Sequence, residues 1–428
     1  MDRGAHGGDE SRCGRFAMRL HIQHGHVIDP ANGVDRFADV CIAEGMIVSV
    51  GAMPEGFVAD RVLDASSMLV MPGLVDLSAR VGQSGDASSA ALAGGVTSLV
   101  QPPETPLSPT HAPQAKVYPL GALTVELKGQ ALTEMVRLSQ AGCVGFSQGN
   151  VPVQDTAVLL RAMQYAKSFD LAVWLRPQDA WLSRGGVVAN GAYASRLGLA
   201  AIPVEAETIA LQTLLSLQRR TEVRLHLCRL SSAEAINMVR AAKKEGLPIT
   251  CDVAANQVHL TDIDIGYYDR HFRLDPPLRG QRDRDAIRLG LLDGTIDAVC
   301  SDHTPLTDLD KNLSFADAVP GAMGLELLLS LTLKWAQEAR VPLRDAVRLV
   351  TQAPGQVLGQ SAGWTAFPGH LAVGAPADVC VVDPEHYWLV CRENIVSASQ
   401  CTPFLGRELP GRVVATVLSG DLVWERSR

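Results

Sequence analysis

Residues 223–253 read VRLHLCRLSSAEAINMVRAAKKEGLPITCDV. Val223-Arg224-Leu225-His226-Leu227 is a short apolar run of strand length. Residues 232–245 carry the helical repeat, and Lys243-Lys244-Glu245 closes that amphipathic helix as a solvated face. Ile249-Thr250-Cys251-Asp252-Val253 then returns to strand. Strand, helix and strand in so short a span make one β-α-β unit, whose two strands run parallel.

The same texture extends in both directions. Upstream lie the runs Leu74-Val75-Asp76-Leu77, Ser98-Leu99-Val100, Val144-Gly145-Phe146 and Leu171-Ala172-Val173-Trp174-Leu175. Downstream lies Asp297-Ala298-Val299-Cys300. Helical candidates fall at 130–140, 154–168, 204–219, 282–292, 323–338 and 343–351. Seven visible strands alternating with helices favour a TIM-type (β/α)8 barrel over an open sheet. In such a barrel the chemistry sits just beyond the C-terminal ends of the strands.

Both ends of the chain read as β. Residues 18–70 hold short strands with turn punctuation, among them Asp29-Pro30-Ala31-Asn32-Gly33 and Glu44-Gly45. Residues 371–428 have the same style, as in Val379-Cys380-Val381-Val382 and Val413-Val414-Ala415-Thr416-Val417. The expected organisation is a disordered extension over 1–17, one small β-sandwich domain built from 18–70 and 371–428, and the barrel over 71–370.

Composition narrows the function. The chain has 428 residues, 47% of them hydrophobic and 20% charged, so a large core is available. A net charge of −8 gives no electrostatic reason to bind nucleic acid. No apolar run reaches the ~18 residues of a membrane span. The 9 cysteines contain no Cys-x-x-Cys pair, which argues against a disulfide framework or zinc ribbon and for the cytoplasm.

Several strand junctions resemble one family. Met71-Pro72-Gly73-Leu74-Val75-Asp76 is similar to the lead-in of the cyclic amidohydrolases, and Ala93-Gly94-Gly95-Val96-Thr97 follows as it does there. Pro276-Pro277-Leu278-Arg279 resembles the PPLR segment of dihydroorotases. The stretch from Asp293 to Pro305 resembles their DGxID…DHAP segment, and Thr402-Pro403-Phe404 their C-terminal sheet. The resemblance runs from about Met18 to Glu425 and implies a zinc-dependent hydrolase site at the barrel mouth.

The residues at the implied ligand positions break that pattern. Where the family places its first His pair this chain has Ser78-Ala79-Arg80. Its substrate-binding Arg and Asn appear as Gly82 and Glu104. The bridging-ligand region reads Phe146-Ser147-Gln148-Gly149-Asn150, with neutral Gln148 at the ligand position. The third and fourth His positions are Arg176 and Arg229, while His226 matches a non-ligand His. Asp302 alone is retained, with His303 beside it. A guanidinium stays protonated and has no acceptor lone pair, so it cannot ligate a metal. One Arg at ~5 Å from Zn²⁺ costs roughly 6–7 kcal/mol at an effective dielectric of ~20. No metal cofactor is therefore expected.

Two consequences follow from the resemblance. Arg80, Arg176 and Arg229 become substrate- or anion-binding candidates that replace the positive charge of zinc, with Asp302 and Glu104 as partners. Asp302 and His303 become vestigial. The chain then resembles the non-catalytic pseudo-dihydroorotases, which implies a protein that is not an enzyme but an assembly partner of the aspartate carbamoyltransferase catalytic chain in pyrimidine biosynthesis, as a homodimer or hetero-oligomer. Two alternatives compete with it: an amidohydrolase-fold enzyme with altered chemistry on a cyclic amide or dihydroorotate-like substrate, either metal-free through Asp302 and His303 or mononuclear, and an anion-binding regulator that uses the Arg-lined pocket. His24-Gly25-His26 has metal-like spacing but lies in the first strand of the small sheet, where a solvent-facing role is the expectation.

Overall fold

The computed structural model describes residues 18–81, 86–103, 115–363 and 366–426. Expectations placed on 1–17, Gly82 and Glu104 fall outside the described residues.

Eight parallel strands form the barrel: β1 (Leu74–Asp76), β2 (Val96–Gln101), β3 (Lys116–Ala122), β4 (Gly145–Ser147), β5 (Val173–Leu175), β6 (Leu225–Leu227), β7 (Ile249–Ala254) and β8 (Ala298–Cys300). Each pairs with the next in sequence order. The seam between β8 and β1 is spanned by Val350, whose carbonyl accepts from Val75 N–H at 2.9 Å, and by an Ala79–His303 bridge. The TIM-type barrel inferred from the alternation is present. One strand escaped the apolar-run reading. β3 has the sequence KVYPLGA, in which Lys116, Pro119 and Gly121 break the apolar pattern.

Helices cover the barrel where the periodicity predicts them, although those expected over 130–140 and 343–351 are shorter, Met135–Gln140 and Leu343–Arg348. α1 (Thr156–Ser168), α2 (Glu205–Thr221) and α3 (Ala233–Lys244) follow β4, β5 and β6. α1 begins at Asp155, whose carboxylate accepts from Ala157 and Val158 N–H. α3 begins at Ser232, whose hydroxyl accepts from Ala235 N–H at 3.2 Å. α3 buries Ala235, Ile236, Val239 and Ala242 on one face, and its last turn carries Lys243 and Lys244. The expected helix over 323–338 is shorter, Leu328–Ala339, because Gly324 is committed to the site described below.

The chain ends meet in a second sheet of eight strands. Leu69–Pro72 is its joint. It runs parallel to Leu20–Asp29 on one side and antiparallel to Val379–Leu389 on the other. Leu20, Ile22, Val40, Val70, Val379, Val381 and Ala415 fill its separate core. One residue, Gly73, separates this joint from β1, so the sheet fixes the entry of the barrel.

Candidate functional site

The residues just past the barrel strands build one buried polar cluster. β1 ends in Asp76, whose carboxylate accepts from Ser78 N–H at 3.2 Å, from Ser301 N–H at 2.9 Å and from the Ser301 hydroxyl. This ties the ends of β1 and β8 together. Burial pushes the Asp76 pKa up to about 7, against the lowering effect of those bonds.

Two residues of the mouth stand in left-handed backbone conformations: Arg229 at φ 52° and Asp302 at φ 49°. For a residue with a Cβ this is a costly geometry that the surroundings must enforce. Asp252, on β7 and fully buried, supplies the enforcement at Arg229 by accepting its N–H at 2.6 Å. The other Asp252 oxygen lies 3.0 Å from His226 Nε2, and His226 Nδ1 lies 2.8 Å from Thr250 Oγ1. The turn aims the Arg229 guanidinium at Asp302, Nη1 to Oδ1 2.9 Å, and at Asn150, Nη2 to Oδ1 2.6 Å. Burial alone would lower the Arg229 pKa. The Asp302 carboxylate reverses that and holds it above the ordinary arginine value.

Asp302 is shared. Arg80 Nη1 lies 3.6 Å from the same Oδ1 and 3.3 Å from Thr304 Oγ1. The Ser78 hydroxyl donates to that oxygen at 3.3 Å. His303, next in the chain, is fully buried, and its Nδ1 accepts from Gly324 N–H at 3.2 Å. A Cβ at Gly324 would stand 2.5 Å from the Ser301 carbonyl oxygen, so only glycine lets this segment close on the strand end. Burial, helped by the Arg80 charge, lowers the His303 pKa to about 3 and keeps the ring neutral.

Arg176 goes elsewhere. The expectation that it joins Arg80 and Arg229 on Asp302 is corrected. It forms a bidentate pair with Asp275, Nη1 to Oδ2 2.6 Å and Nη2 to Oδ1 2.5 Å. Burial would raise the Asp275 pKa, but Arg176 first, then Arg229 and Arg273, pull it down to about 2. Asp275 was missed because it stands just before the Pro276-Pro277-Leu278-Arg279 segment, and nothing local marks it as a partner. Arg279 is also buried, 2.8 Å from Ser231 Oγ through Nε and 3.4 Å from Glu207. Gln148 donates its amide to the Leu127 carbonyl at 2.7 Å and to Thr124 Oγ1 at 2.8 Å, which engages it in the turn after β3. His24 and His26 lie apart from this cluster, on Leu20–Asp29. His26 Nε2 is 2.7 Å from Asp35 and the exposed His24 is 3.4 Å from Asp64.

The donor set does not fit the zinc that the resemblance implies. Arg80, Arg176 and Arg229 offer no lone pair. Among the described residues no three His, Cys, Asp or Glu side chains come together in a way that would hold an ion. What the cluster does offer is a carboxylate, Asp302, between two guanidinium groups. It is an acceptor for a proton beside cations able to stabilise developing negative charge.

Comparison with known proteins places the chain. A family model described as dihydro-orotase-like matches residues 67–235. A dihydroorotase-like protein of Pseudomonas aeruginosa is 40% identical over 95% of this chain and 100% of its own length. A dihydroorotase of Syntrophotalea carbinolica is 36% identical over 96% of this chain and 100% of its own. The solved L-hydantoinase of Arthrobacter aurescens superposes with a TM-score of 0.82 at 22% identity, covering 96% of this chain and 97% of that one. That likeness concerns the fold. The expectation that the chain is not an enzyme is overturned, because relatives aligned along their full length carry the name dihydroorotase. No helix among the described residues is long and apolar enough to cross a membrane. With relatives at this identity aligned along nearly its whole length, the chain belongs to the dihydroorotase-like family.

Proposed function

We propose that the chain is an amidohydrolase-fold hydrolase that opens a cyclic amide of the dihydroorotate or hydantoin kind without a metal. The observation that carries this reading is Asp302, held at the mouth between Arg229 at 2.9 Å and Arg80 at 3.6 Å. In the reaction a water oxygen bonds to the ring carbonyl carbon and passes its proton to Asp302. The carbonyl oxygen takes up negative charge, which the Arg229 and Arg80 guanidiniums stabilise. The ring C–N bond then breaks, and the proton on Asp302 goes to the leaving nitrogen. The buried, neutral His303 takes no proton in this scheme. A site without a Lewis acid forgoes several kcal/mol of stabilisation, so turnover slower than that of a metallo-hydrolase is expected.

The test is ring opening of dihydroorotate, dihydrouracil and hydantoin by purified chain, with and without a chelator. Activity that persists in chelator and is lost in Asp302→Asn supports the reading. No ring opening of any of the three overturns it, and activity restored only by added zinc overturns its metal-free part.

We also propose a cytoplasmic setting and assembly with the aspartate carbamoyltransferase catalytic chain. Buried thiols outside any disulfide at Cys41, Cys251, Cys300 and Cys380 support the first. The sequence resemblance supports the second, together with exposed apolar side chains on the loops after β7 and β8, Tyr267 at 91% and Leu309 at 78%. Co-expression followed by size exclusion with light scattering decides it: one large species containing both chains is expected, and two separate peaks at micromolar concentration overturn it.

A further inference from the structure

We propose that the rim of the barrel binds a small aromatic molecule, in a hollow between α1 and α2 that is lined by the segments after β4 and β5 and does not include Asp302. The hollow measures about 130 Å³ and is floored by Leu159, Leu175 and Leu214. This is close to the ~150 Å³ of an apolar cavity that takes up benzene. Its lining is mixed, with Gln148, Gln154, Gln178 and Thr213 beside the leucines, so a ring entering it also meets polar groups.

Two large apolar side chains line this hollow and stay in water. Trp181 is 67% exposed and Ile209 is 50% exposed. The backbone at Trp181 is held in place. Asp179 Oδ1 accepts the N–H groups of Trp181 and Leu182 at 2.9 and 2.8 Å, and Asp179 N–H donates to the Ala206 carbonyl at 2.7 Å. The Arg184 guanidinium lies 5.5 Å from the centre of the indole ring, and the exposed indole beside the hollow remains a stacking surface for a ring. The hollow has room for about one ring, the size of a small aromatic molecule. Its inner wall includes Arg176, whose guanidinium holds Asp275, so a bound ring abuts the support of the barrel mouth.

The ring comes either from a free ligand or from a substituent of an amide bound at the mouth. Indole and benzene are the probes, and binding is read by calorimetry and thermal melting on the full chain. Saturable binding with a rise in melting temperature is expected for both probes. Ala210→Phe, which fills the hollow from α2, abolishes the rise while the variant melts as a folded protein. Trp181→Ala, at an exposed position, weakens indole binding at least fivefold. Competition between indole and 5-phenylhydantoin assigns the ring to a substituent, and independent binding assigns it to a free ligand. Absence of saturable binding, or equal binding by wild type and Ala210→Phe, overturns the proposal. None of these readouts requires turnover, so they stand or fall apart from the hydrolase reading.

Discussion

Arg176 and Arg229 leave neighbouring parallel strands, and each meets an aspartate from elsewhere in the barrel. The two pairs differ in kind. Arg176 and Asp275 use both guanidinium ends and both carboxylate oxygens, which leaves the pair closed on itself. Arg229 gives Asp302 one nitrogen and spends another on Asn150, and Asp302 accepts from Ser78 and faces Arg80 with the same oxygen. A saturated bidentate pair is a clamp. A carboxylate with several single contacts exchanges partners more readily, and that is the arrangement a reacting group needs. The contrast separates the part of the mouth that holds shape from the part proposed to do chemistry.

Breaking the clamp carries the largest expected effect. Asp275→Asn leaves three guanidiniums facing a neutral amide and lowers stability by about 3 kcal/mol, measured as a fall in the urea midpoint. The same variant also changes the acid limb. The Asp275 pKa is depressed to about 2, so its contribution is complete above the ordinary Asp value near ~3.9 and is lost as pH falls towards 2. The variant loses that slope. If it is as stable as wild type, the clamp is not one.

Breaking the open pair acts on turnover instead. Asp302→Asn keeps the shape of the side chain and removes the proton acceptor, so the rate of ring opening drops about 100-fold or more while the unfolding midpoint moves less than in Asp275→Asn. A larger loss of stability than of rate would invert the comparison.

His303 sharpens the contrast through its proton. Its folded pKa of about 3 lies below the unfolded value, so the unfolded chain binds the proton first as pH falls. Wild type should lose about 2 kcal/mol between pH 6.5 and 4.5 from this residue. His303→Asn keeps an acceptor for Gly324 N–H at the position of Nδ1 and flattens that part of the curve. An unchanged curve would mean the ring is not held neutral. The smallest effect is a control away from both pairs: Ser232→Ala removes the cap of α3 and costs about 1 kcal/mol in the same unfolding assay, with turnover unchanged.

Much of the fold was legible because it rests on local patterns. Apolar runs such as Val223–Leu227 and amphipathic stretches such as 232–245 report their own burial, whatever they pack against. β3 was not legible, because Lys116, Pro119 and Gly121 hide a strand that is defined by its neighbours. In the site, the chemistry of the residue types was readable. Arg at a ligand position excludes a metal bond wherever the side chain points. Partnership was readable only in part. Arg80 and Arg229 do reach Asp302, but Arg176 takes Asp275, a choice made by loop geometry about 100 residues away in sequence. The resemblance to inactive relatives led towards a protein without activity, whereas the full-length relatives named as enzymes point the other way.

The joint strand Leu69–Pro72 also constrains how the protein is made. Its partner Val379–Val382 is synthesised about 300 residues later. At ~5–20 residues per second a ribosome needs roughly 15–60 s to cover that distance. Throughout that interval one edge of Leu69–Pro72 has no mate, although Leu20–Asp29 is already on hand. The nascent chain must finish most of its barrel with its first sheet half-built, so this edge is where a chaperone or a neighbouring nascent chain would find it.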